Sequence, residues 1–302
     1  MDIIIQKIAY LYIFILVGFF FGKGKKGLSS HTPMLSFLTI NLFLSAKIFR
    51  SFATYCTVGY ITDHYKLLLI SLVLLVVLHF AGKLIAKLMR SGEEKGTYEY
   101  TVTISNYGYI GYALVEGVFG AMAQTDMILF CLPFSVYTYT AGYIKLTGGK
   151  FSFKRLLNPV TMASVLGMII GISGLQLPEL ADDVLSACSG CVGPVTMLLT
   201  GFTLSEFTLR HMLGDIKVYV LTAVRLVILP LLVFAAFKLL KMDAFLMAPL
   251  VMAAMPCGLN PIIFAKNMGR SPELGAKLVL ISHAFSCVTL PIWLSVLQGM
   301  AI

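Results

Sequence analysis

Charge is what this chain has least of. Only 12% of its 302 residues are Asp, Glu, Lys or Arg, about half the roughly 25% of an ordinary soluble domain. With 58% hydrophobic residues and a mean hydropathy of +0.89, it lacks the polar surface that a soluble core needs around it. The five His are too sparse for a convincing metal cluster, so no metal is expected. No HExxH, Gly-x-Ser-x-Gly or Walker A pattern occurs. That argues against a zinc hydrolase, a serine-hydrolase elbow and nucleotide-driven work. An enzyme is not expected, and no cofactor is implied. Of the six Cys, only Cys188 and Cys191 form a CxxC. On a helix the two share a face, which suits a metal or redox pair. Their Ser, Gly and Ala neighbours fit small-residue helix packing better.

What is present is long apolar runs. A membrane-spanning helix needs about 20 mostly apolar residues. Ten segments qualify: Ile4–Phe21, Pro33–Phe49, Leu67–Leu88, Tyr100–Gly120, Met127–Leu146, Pro159–Leu175, Val184–Phe207, Val218–Leu239, Leu246–Lys266 and Leu274–Met300. The fold class is therefore an all-α polytopic membrane protein, with the lipid bilayer as its first partner. The net charge of +9 would suit nucleic acid. Its basic residues lie in short loops between apolar runs, so no nucleic-acid partner is expected. The first run follows Asp2 and a single Lys and ends in Gly-Lys-Gly-Lys-Lys-Gly. It reads as a retained helix, not a cleaved signal.

Loops after odd-numbered segments carry sixteen Lys or Arg, among them Lys25, Lys26 and Arg90; those after even-numbered segments carry four. By the positive-inside rule the odd loops are cytoplasmic. Both termini then face outward, in a multi-pass protein of the cell membrane. The most basic break, Thr147-Gly-Gly-Lys-Phe-Ser-Phe-Lys-Arg155, divides the chain into residues 1–149 and 150–302, five segments each. Five is odd, so the second block enters the membrane with opposite polarity, and inverted repeats follow if the blocks are homologous.

Two segments are interrupted, one in each block. The first reads Thr103-Ile-Ser-Asn-Tyr-Gly-Tyr-Ile-Gly-Tyr-Ala113 and the second Met252-Ala-Ala-Met-Pro-Cys-Gly-Leu-Asn-Pro-Ile262. A helix broken in hydrocarbon leaves backbone groups unpaired. It is tolerated only where protein or a water-filled cavity surrounds the break. Such a pair at matching places points to a transporter's binding site.

The order Asn158-Pro159, Gly167, Gly171, Leu177-Pro178, Pro194, Leu198, Gly201, Leu204, Arg225-Leu-Val, Pro230, Ala254-Met-Pro256 and Leu290-Pro291 closely resembles the auxin efflux carrier family, which includes bacterial malate-permease-like members. Asn106-x-Gly108-x-x-Gly111 and Phe119-Gly120 carry the resemblance in the first half. It implies ten helices in two inverted repeats of five, with broken helices four and nine crossing as in bile-acid-symporter and NhaA-like folds. It further implies a homodimer, an elevator motion and secondary transport of organic anions such as dicarboxylates or auxin-like carboxylates. The chain departs from the family at Ala113, where Pro is usual, and in its second helix, where the stretch Asn41–Arg50 carries Lys47 and lacks the family's usual proline.

Half-helices meeting at the midplane would aim N-terminal N–H groups at an anion. The expected substrate contacts are Asn41, Asn106, Tyr107, Gly108, Tyr109, Gly111, Thr200, Pro256, Asn260 and Pro261. Asn106 and Asn260 can serve substrate, freed backbone groups, or both. The tyrosines suit a site apolar on one side and wet on the other, or simple packing. Arg225, Glu116, Lys47 and His283 are the charge or proton-coupling candidates. Arg225 either attracts the anion or partners Glu116 or the carbonyls of a broken helix. Lys47 is expected to snorkel outward near Arg50. His283 reads better as an interhelical donor than as a proton relay. Energy would come from a gradient of substrate, protons or Na⁺. No Asp lies inside a span, so a carboxylate-built Na⁺ site is not evident. A passive anion channel and a membrane sensor are the alternatives.

Overall fold

The computed structural model describes residues 2–24, 31–89, 92–150 and 152–300. Lys25, Lys26 and Arg90, which count toward the orientation, lie outside the described residues. In chain order the main helices are α1 (Ile3–Gly24), α2 (Thr32–Tyr55), α3 (Val58–Leu88), α4 (Lys95–Thr103), α5 (Tyr112–Phe119) and α6 (Ala121–Thr147). They continue with α7 (Pro159–Ser173), α8 (Glu179–Ser205), α9 (Ile216–Leu239), α10 (Met247–Ala254), α11 (Asn260–Asn267) and α12 (Glu273–Gly299). Seven of these are long and apolar enough to cross a membrane: α1, α2, α3, α6, α8, α9 and α12. The shorter α7 is apolar throughout. Among the described residues there is no strand, only an isolated antiparallel bridge between Ser105 and Cys257.

Local chemistry sets the ends. Thr57 caps α3 by accepting from the Tyr60 N–H at 3.2 Å, so this helix starts well before the expected Leu67. Its first turns carry the polar Asp63, His64 and Lys66. Asn158 caps α7 in the same way, through the Thr161 N–H at 3.0 Å, with Pro159 at the first helical position. The helix α8 begins at Glu179, ahead of the expected Val184, and turns at Cys191. Both Cys188 and Cys191 are free thiols. Wider π turns interrupt α2 (Thr39–Leu44), α6 (Thr138–Gly142) and α9 (Val224–Ile228).

Small residues decide which helices touch. A Cβ on Gly18 would lie 2.4 Å from the Leu198 carbonyl, and one on Gly201 2.1 Å from that of Ile15, so α1 and α8 meet backbone to backbone. Gly167 and Gly171 do the same for α7, against the carbonyls of Phe49 and Phe52 in α2. Without a hydrophobic force between helices in lipid, close approach of this kind is how they associate. On α3, Leu69, Val73, Val76 and Phe80 stay more than half exposed, an apolar face suited to hydrocarbon. α3 packs on α4 and α6, and α9 on α10 and α12.

Candidate functional site

The two interrupted helices meet at their breaks. α4 stops at Thr103 because Ile104 turns extended, at φ −115° and ψ 127°. α10 stops at Ala254, where Met255 is extended at φ −66° and ψ 144°. The two extended pieces run antiparallel, pairing Ser105 with Cys257, and the Asn106 N–H donates to the Pro256 carbonyl at 2.8 Å. Ser105 Oγ donates to the Met252 carbonyl at 2.8 Å, and the Cys257 N–H donates to Ser282 Oγ at 3.0 Å. Each break thus supplies partners for the other's freed backbone groups, as burial in a membrane demands.

Arg225 closes the remaining gap. It sits in the π turn of α9 and is fully buried. Its Nε donates to the Met255 carbonyl at 3.2 Å and its two terminal nitrogens to Val102 at 2.9 Å and Met252 at 2.8 Å. These carbonyls belong to the C-terminal ends of α4 and α10, the negative ends of the half-helices. Among the described residues no carboxylate pairs with Arg225. Its charge therefore compensates the C-terminal ends, while the N-terminal ends leading into α5 and α11 still face the crossing.

A cavity of about 60 Å³ opens at the crossing, room for a few waters in this state. Asn106, Tyr107, Gly108, Tyr109 and Tyr112 line it from the first break, and Gly258, Leu259 and Asn260 from the second. Ser135, Thr138 and Tyr139 of α6, Ile40, Leu44 and Ile48 of α2, Val160 of α7 and the extended Ile104 and Ser105 complete the wall. The first bonds of the turn into α5 run from Ile110 and Gly111 to the Asn106 carbonyl. The N–H groups of Tyr107, Gly108 and Tyr109 precede those bonds, as at any helix start. Asn260 donates to the Tyr100 hydroxyl at 2.7 Å, and the Tyr107 hydroxyl is 3.1 Å from Ser135 Oγ. Asn106 Nδ2 is 3.3 Å from His283 Nε2, while His283 Nδ1 is 2.7 Å from the Val279 carbonyl. Nδ1 therefore carries the ring proton and Nε2 accepts from the asparagine.

Five of the residues expected at the site, Asn106, Tyr107, Gly108, Tyr109 and Asn260, line the cavity together. Gly111 lies behind it against Met127, and Pro256 contributes its carbonyl to the bridge. Pro261 opens α11 and lines a neighbouring cavity. Asn41 and Thr200 do not line the cavity either. Asn41 is exposed on α2 and donates to the Phe37 carbonyl one turn back. Thr200 is buried but turns its hydroxyl onto the Thr196 carbonyl of its own helix. Lys47 does not snorkel outward: it is buried and pairs with Glu116 of α5. Glu116 also accepts from Gln124 Nε2 at 3.4 Å. Ser135, Thr138 and Tyr139 were not expected at the crossing, although their i, i+3, i+4 spacing puts them on one helix face. Glu99 was missed as well. It is buried in α4 and paired with Lys145. Among the described residues no group of three or more His, Cys, Asp or Glu is gathered to hold a metal.

The family described as "Membrane transport protein" matches this chain over residues 3–153 and again over 144–294. An uncharacterized transporter of Methanothermobacter thermautotrophicus is 28% identical over 217 residues, which cover 69% of this chain and 71% of the relative. The uncharacterized transporter YfdV of Escherichia coli K12 is 20% identical over 302 residues and 95% of both chains. A chain that matches along nearly its whole length, with polar breaks buried inside an apolar helical body, belongs to the membrane transport protein family of the auxin efflux carriers.

Proposed function

We propose that this protein is a secondary carrier of small organic anions, dicarboxylates or auxin-like carboxylates, with the substrate bound at the crossing of the interrupted helices. The observation that carries the reading is the crossing itself. Two broken helices are tied by backbone hydrogen bonds, with a buried arginine that has no carboxylate partner among the described residues and two helix N-termini at a cavity lined by both apolar and polar side chains. A carboxylate suits that field, and the Asn106 and Asn260 amides can orient it.

In this reading the seven long helices, α7 and the two interrupted segments make ten crossings in two inverted repeats, divided between residues 1–149 and 150–302. The packing supports the symmetry. α1 of the first half lies on α8 of the second, and α7 of the second lies on α2 of the first. These four form a scaffold, and the rest move with the crossing as an elevator. The carrier works as a homodimer in the cell membrane, termini outward, coupled to H⁺ or Na⁺.

The test is uptake of labelled malate, other dicarboxylates, short monocarboxylates and indole-acetate into vesicles holding the purified protein. Substrate-specific uptake lost in Asn106→Ala and Asn260→Ala supports the reading. Normal transport in both variants would place the substrate elsewhere.

A further inference from the structure

A second cavity, of about 400 Å³, is lined by α1, α2, α5 and α8. Its size falls within the roughly 300–1,000 Å³ usual for small-molecule sites. It borders the crossing, because Tyr112 lines the crossing cavity while the next residue, Ala113, lines this one. Its polar lining is Lys7, Tyr10, Lys47, Glu116 and Ser189. Two ammonium groups there face one carboxylate. Lys47 is only 3% exposed and needs a countercharge, which Glu116 supplies from a position 39% exposed. Lys7 lays its stem over Gly117, with Cδ 3.0 Å from where a Cβ would stand. Among the described residues it makes no ion pair.

We propose that this cavity is a second anion site, which takes a small carboxylate between Lys7 and Lys47. The bound carboxylate competes with Glu116 for the Lys47 ammonium. Glu116 is not stranded when Lys47 leaves, because Gln124 Nε2 already donates to the same oxygen. The Lys47–Glu116 pair joins α2 to α5. In the carrier reading, on which this consequence rests, α2 belongs to the scaffold and α5 to the moving part. An anion arriving in the cavity therefore loosens a tie that holds the crossing in place.

The experiment is equilibrium binding of labelled malate to purified protein in phosphatidylcholine nanodiscs, where no anionic headgroup competes. Wild type, Lys7→Gln, Lys7→Arg, Lys47→Gln and Asn106→Ala are compared, with folding checked by gel filtration. Lys7→Gln is expected to weaken binding about fivefold and Lys7→Arg to restore it to within about twofold, while Asn106→Ala, which weakens the crossing, keeps the Lys7-dependent part of the binding. Lys7→Gln binding as tightly as wild type overturns the site, and so does wild type that binds no malate. Binding lost in Asn106→Ala alone also overturns it and leaves the crossing as the anion site. Binding that depends on Lys7, in a protein that moves no anion across vesicles, keeps this site and removes the carrier reading.

Discussion

Arg225 and Asn106 both serve the crossing, yet they are bound into it differently, and substitutions should separate them. Arg225 gives three donors to carbonyls from two helices. Arg225→Met leaves the buried Val102 and Met255 carbonyls without this donor, while Met252 keeps its bond from Ser105 Oγ. It should cost about 3 kcal/mol or more, lowering Tm by about 6 °C or more in detergent. Arg225→Lys should recover only part of the loss, because one ammonium cannot reproduce the fork. Asn106 is tied to the second break through its backbone N–H. Among the described residues its side chain reaches only His283. Asn106→Ala should therefore keep folded yield and Tm nearly intact while transport falls about tenfold or more, the worth of a hydrogen bond to a charged group. Equal losses of stability in the two variants would contradict this division.

At the scale of elements, the helix pairs depend on bare backbone. Gly201→Ala would put a Cβ 2.1 Å from the Ile15 carbonyl and 2.6 Å from the Phe19 nitrogen, with no flexible side chain to yield. It should separate α1 from α8 and cost about 1–3 kcal/mol, read as a lower Tm. The exposed Gly190, with nothing near its Cβ position, should accept Ala with little change. Much of this architecture is legible in the sequence, since apolar length marks the spans and Gly, Asn and Pro mark the breaks. The missing proline at Ala113 proves immaterial, because the chain unwinds earlier, from Ile104 to Asn106, and Ala113 sits inside α5. What the sequence hides is pairing at a distance. Lys47 and Glu116 stand 69 positions apart, so nothing local shows that the lysine is held inside. Glu99 likewise looks like a surface residue near a loop until Lys145 is brought against it. Asn41 and Thr200 do not line the crossing cavity, because a helical period fixes which faces exist and not which one meets it.

At the scale of the whole molecule, the polar ties between the proposed scaffold and the moving part are, among the described residues, few and spread out. Ser51 of α2 meets Thr125 of α6 at 2.7 Å, Tyr12 of α1 meets Ser286 of α12 at 2.5 Å, and Lys266 of α11 pairs with Glu206 beyond α8. Such ties can be exchanged one for another, whereas the glycine contacts within the scaffold cannot. The Ser51→Cys, Thr125→Cys double variant should form a disulfide under mild oxidant, since its side chains already touch. Transport should then fall about tenfold or more and return with reductant, in keeping with a motion that must cross this contact. Unchanged transport in the fully oxidised variant would mean that α2 and α6 travel together.

The most direct measurement is counterflow in vesicles holding the purified protein. They are loaded with excess unlabelled malate or another small carboxylate, and a trace of the labelled anion is offered outside. A carrier with one alternately exposed site at the crossing predicts that label accumulates transiently above equilibrium, and that Asn106→Ala and Asn260→Ala abolish the overshoot. Simple equilibration without overshoot would contradict alternating access, and silence across the carboxylate panel from folded protein would contradict the organic-anion reading.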